Sequence, residues 1–112
     1  MDTYEARRRM YDLARQALEL LDECLRDERN LSKTATDLRN MELEARALLA
    51  DAGYPAESAW RSMQRVLLAL QAPQLDSHLV HEARSELRDA VETLASLTSA
   101  TSERDSDFRI IG

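Results

Sequence analysis

Two histidines, one cysteine and several closely spaced carboxylates are the residues of this chain whose types and spacing could do chemistry. His78 and Glu82 stand four apart, which puts an imidazole and a carboxylate on one helix face and offers a divalent metal two ligands. Two ligands do not hold zinc, and a di-iron or di-manganese site in a helical bundle needs Glu-x-x-His pairs on two helices, which this sequence lacks. Cys24 falls among Leu20, Leu21 and Leu25 on an apolar row, the place of a small buried hydrophobe rather than an activated thiol. The carboxylate pairs Glu42 with Glu44 and Glu19 with Glu23 are expected on a solvated face, as solubility residues rather than a general acid and base. Gly53 and Gly112 alone cannot write a phosphate-cradling loop, and no serine stands in a strand-turn-helix elbow. The expectation is a protein without catalytic residues, cofactor or metal.

The segment His81-Glu82-Ala83-Arg84-Ser85-Glu86-Leu87 resembles the phosphorylated segment of sensor histidine kinase dimerisation domains over these seven residues. The resemblance implies His81 as a phosphate acceptor. Glu86 stands where that family places Pro, and no ATP-binding sequence follows, so the match is read as chance. The basic cluster Arg7-Arg8-Arg9 offers a recognition patch for a carboxylate- or phosphate-bearing partner, although Glu5 with Arg9 and Arg8 with Asp12 are spaced to pair along a helix. Tyr4 and Tyr11, seven apart, add the aromatic component usual at protein interfaces.

The elements that must position these residues follow from composition and periodicity. The 112 residues carry 15 Lys+Arg and 21 Asp+Glu, a net charge of −6 that repels phosphate backbones and speaks against direct nucleic-acid binding. That length implies one domain, and two Gly, two Pro and 4% aromatics leave little with which to build β structure, so the fold class is all-α. The longest apolar run, Val66 to Leu70, is far too short to span a membrane, and with one cysteine and no leader-like opening the expected compartment is the cytoplasm.

Apolar residues step by three and four through Met10, Leu13, Ala17, Leu20, Leu21 and Cys24, then through Leu38, Met41, Ala45, Leu48 and Ala52. A break near Asn30 separates two helices, with Ser32 or Thr34 read as the cap of the second. Gly53-Tyr54-Pro55 ends the second and starts a third carrying Trp60, Met63, Val66 and Leu67; Asp76 or Ser77 caps a fourth carrying Val80, Ala83, Leu87, Val91 and Leu94. Helices over about 3–29, 32–52, 55–71 and 76–98 predict an antiparallel up-and-down four-helix bundle over residues 1–98.

Residues 99–112 read as a flexible tail with an apolar end, Phe108, Arg109, Ile110 and Ile111, suited either to docking on a partner or to folding back on the bundle. The function expected is a small acidic protein–protein interaction module of adaptor, chaperone, immunity or inhibitor type. It would act through a bundle face, through the tail, or through both, with Tyr4, Arg7, Arg8 and Tyr11 and the tail's apolar end as contact residues. The alternatives are an acidic inhibitor of a nucleic-acid-binding machine and a self-assembling homodimer, the latter drawn from the wide apolar stripe of the first helix. No membrane or small-molecule partner is expected.

Overall fold

Asp2 opens the first helix as its sequence neighbours require: its carboxylate accepts the Glu5 amide at 2.8 Å and its carbonyl accepts Ala6 N–H at 3.0 Å, satisfying donors that a helix start leaves free. The structure is a computed structural model describing the backbone of residues 2–26 and 31–111 and the side chains of residues 2–26 and 31–98. Among these residues there are four helices and no strand: α1 (Thr3–Arg26), α2 (Leu31–Ala52), α3 (Tyr54–Gln71) and α4 (Ser77–Ile111). Each helix packs on the next, α1 also packs on α4, and α1 approaches α3 across the middle, the contact pattern of a four-helix bundle.

α1 and α2 are separate helices folded onto each other, as the break near Asn30 anticipates; the turn itself, 27–30, lies outside the described residues. Neither Ser32 nor Thr34 caps α2. The helix is already under way at Leu31, Thr34 is buried on the core side, and the Ser32 carbonyl accepts the Thr36 hydroxyl at 3.1 Å within the first turns. The end of α2 is built as the sequence indicates. Gly53 N–H closes on the Leu49 carbonyl at 3.0 Å, and Gly53 sits at φ +79°, ψ −166°, a conformation essentially restricted to glycine. Asp76 is the cap of α4, its carboxylate accepting His78 N–H at 3.0 Å and Leu79 N–H at 3.4 Å.

α4 does not end near residue 98. Its backbone continues helical for 35 residues to Ile111, because neither Gly nor Pro interrupts the chain between Pro73 and Gly112 and small polar residues alone do not stop a helix. A helix of that length measures about 52 Å, and it accounts for most of the molecule's 58 Å long dimension.

The core runs the length of the bundle from Ala6 to Leu94, with Met10, Leu13, Leu21, Leu38, Met63, Val66, Val80 and Leu87 fully enclosed. Ala6, Ala14, Ala17, Ala45, Ala52, Ala56, Ala59, Ala83 and Ala90 fill the places between them, so helices approach closely where two alanines face. The wide apolar stripe of α1 is mostly used inside this core: Leu13, Ala14 and Leu21 are buried, while Leu20 is left half-buried at the edge. Among the described residues no helix is long and apolar enough to cross a membrane.

Candidate functional site

The basic and aromatic residues of α1 do not form one patch. Arg7 turns back on its own fold and donates Nε–H to the Ala52 carbonyl at 2.9 Å, capping the end of α2. Tyr11 packs against the core with the Arg15 guanidinium 5.9 Å from its ring centre, and Tyr4 is half-buried with an interaction of its own. Of Tyr4, Arg7, Arg8 and Tyr11, only Arg8 is exposed. Its spacing partner Asp12 does not pair with it among the described residues, and Arg9 reaches past Glu5 to another helix. Phe108, Arg109, Ile110 and Ile111 lie on the helical backbone of α4, but their side chains fall outside the described residues.

Arg9 instead grips Glu44 on α2 in a two-point contact, Nε to Oε2 at 2.5 Å and Nη2 to Oε1 at 3.0 Å. A matching fork joins Arg84 on α4 to Asp22 on α1, at 2.5 and 3.3 Å. In each pair the hydrogen bond to the carboxylate holds the guanidinium above its ordinary value, against the opposing effect of burial. A raised cation contributes stability below its unfolded value and loses it only as pH rises through the folded one. Both values lie in the strongly alkaline range, so these arginines stay charged throughout the neutral range.

Glu42 corrects the expectation of a solvated face. It is 5% exposed, and its Oε1 accepts the Trp60 indole N–H at 2.9 Å, Arg46 Nη2–H at 2.8 Å and Gln64 Nε2–H at 3.4 Å. Arg46 also stands 5.9 Å from the Trp60 ring centre. The cluster ties α2 to α3 and closes that stretch of the seam, while toward the start of α2 a cleft of ≈ 430 Å³ lined by Leu31, Ala35, Arg39 and Leu70 stays open between the same helices. The signal lay in position: Glu42 is four residues beyond Leu38 and three before Ala45, on the same apolar row.

The seam between α1 and α2 is different. It opens as a groove of ≈ 490 Å³ whose floor is Leu20 and Met41, with Leu13 enclosed beneath, and whose rim carries Glu19, Glu23, Asp37 and Glu44 against Arg9 alone. One cation against four carboxylates leaves a formal charge of −3, half the charge of the whole chain. Arg15 approaches Glu19 from outside the groove at 3.9 Å, whereas Glu23 and Asp37 make no ion pair among the described residues. A second groove of ≈ 780 Å³ between α3 and α4 is larger, but of its charges only Asp89 is left without an ion pair among the described residues: Glu57 binds Arg61 at 2.6 Å and Arg65 binds Glu86 at 2.5 Å. Tyr54 stands at the mouth of that groove, 86% exposed.

His78 and Glu82 do meet, at 3.0 Å on the exposed face of α4, as their spacing anticipates. Among the described residues no group of three or more His, Cys, Asp or Glu could hold a metal ion. His81 is exposed and lines a shallow cleft with Asp22, Leu25, Arg26 and Arg84, in which Arg84 is held by Asp22. No protein-family model, curated protein or solved structure matches this chain.

Proposed function

We propose that this chain is a small acidic, non-enzymatic protein–protein interaction module of the cytoplasm, built as an antiparallel up-and-down bundle and binding through the face where α1 meets α2. The ion pairs support the helix directions: Arg9 near the start of α1 meets Glu44 late in α2, and Arg84 early in α4 meets Asp22 late in α1.

The observation that carries the reading is the open α1–α2 seam. Leu20 and Met41 remain half-buried at the floor of a groove, in a bundle that locks the facing stretch of its α2–α3 seam with buried Glu42. An interhelical groove with an apolar floor and charged rim is a common receptor for a partner's helix. Arg8 and the apolar end of α4 are further contact residues on this reading, and the adaptor, chaperone, immunity and inhibitor roles all share its chemistry.

The test is site-specific photocrosslinking in the native host. A photoreactive amino acid replaces Gln16, an exposed residue lining the groove, and in a parallel chain it replaces Glu92 on the outer side of α4. One discrete adduct with another protein from position 16, absent from position 92, is the expected result. No adduct, or the same adducts from both positions, overturns the reading. An adduct of twice the chain's own mass replaces it with the homodimer.

A further inference from the structure

We infer that the occupant of the α1–α2 groove is a basic amphipathic helix of a partner protein, one that places apolar side chains on Leu20 and Met41 and sets Lys or Arg beside Glu23 and Asp37. This inference rests on the interaction-module reading and specifies its partner.

Charge complementarity selects the occupant. The rim is acidic by three charges, and Glu23 and Asp37, on opposite walls, have no cation of their own among the described residues. A cationic helix meets both walls at once. An acidic helix, or a second copy of a chain carrying −6, meets repulsion there. The larger α3–α4 groove gives no comparable preference: Glu57, Glu86 and Asp89 face Arg61 and Arg65, leaving one excess charge with two ion pairs already made.

Shape and floor agree with a helix. From Arg9 to Glu23 the α1 wall extends about 21 Å, enough for roughly four helical turns. Leu20 on α1 and Met41 on α2 are half-buried and leave apolar surface for an incoming apolar row, while Leu13 is enclosed beneath them. Met41 on the opposite wall is unbranched and adapts to the side chain it meets. Association driven by the rim is fast and sensitive to salt, while the floor determines how long the complex lasts.

The probe is an 18-residue peptide of leucine and lysine with leucines at steps of three and four, titrated into the full chain beside a scrambled isomer of identical composition. Glu23→Lys with Asp37→Lys is compared with the control Glu82→Lys with Glu92→Lys, which changes the net charge equally on exposed positions of α4. Circular dichroism verifies that both doubles remain folded. The expected result is saturable binding, weakened at least tenfold by the groove double and less than twofold by the control. The isomer binds at least fivefold more weakly, and amide shifts map to Leu20 and Met41. Equal weakening by both doubles, equal binding of both peptides, or shifts centred on another face overturns the inference.

Photocrosslinking separates the two levels. An adduct at position 16 with a partner lacking a basic helix sinks this inference and leaves the interaction module standing. Absence of any adduct sinks the module.

Discussion

Glu42 and Glu44 lie two residues apart on α2, yet one is 5% exposed against Trp60 and the other stands on the rim of an open groove holding Arg9. A single turn of helix thus faces two neighbours with opposite solutions. Toward α3 a carboxylate has been taken out of water and surrounded by three donors from Trp60, Arg46 and Gln64, which makes the packing of α2 on α3 specific as well as tight. Toward α1 the contact is a solvent-facing fork over an apolar floor that is only partly covered. The difference teaches where free energy of folding is concentrated and where surface is left for something else: residues that close a seam should be costly to change, and residues on an open rim should not.

The largest expected effect is therefore Glu42→Ala. It strands the Trp60 indole N–H beside a new gap and removes Arg46's partner, and should lower the unfolding free energy by about 3 kcal/mol, read by urea denaturation. Glu42→Gln keeps an acceptor for Trp60 and should recover more than half of that loss. Next is Trp60→Phe, which preserves most of the ring packing but deletes the donor; about 1 to 1.5 kcal/mol is expected from the same measurement.

Glu44→Gln comes third. Its fork with Arg9 is nearly half exposed on both sides, so solvent screening limits the loss to under about 1 kcal/mol, and 0.5 M salt should erase most of it. Smallest is the double change Glu23→Gln with Asp37→Asn, expected to shift stability by no more than about 0.5 kcal/mol, in either direction, because neither carboxylate makes an ion pair among the described residues. A cost for this double equal to that of Glu42→Ala would break the comparison, since the groove would then be as much a part of folding as the Glu42 cluster.

Much of the fold was legible because it depends on near neighbours in the chain. The three-and-four spacing from Met10 to Cys24 and from Leu38 to Ala52 marked the buried rows, Gly53 marked a backbone turn that only glycine makes readily, and Asp76 marked the start of α4. What escaped depends on residues far apart in sequence. Glu42 reads as solvated until Trp60, eighteen positions later on another helix, supplies its donor. Arg9 reads as a partner of Glu5 until α2 folds back and brings Glu44 across thirty-five positions. Arg7 reads as a recognition residue until the Ala52 carbonyl comes within its reach. The length of α4 escaped for another reason: serine and threonine weaken helical preference without ending a helix, and no glycine or proline marks a stop before Gly112. The acidic rim was visible only as scattered carboxylates, because Asp37 and Glu23 become neighbours through the pairing of two helices.

Cys24 gives the molecule a clock. It is the chain's one thiol, 4% exposed in the last turns of α1, and it takes part in no disulfide. A thiol reagent reaches it only during excursions in which that end of α1 lifts from the bundle, so the labelling rate counts those excursions while nearly every molecule remains folded. Compared with the time course of global unfolding, that rate tells whether the end of α1 opens alone or only when the whole bundle does.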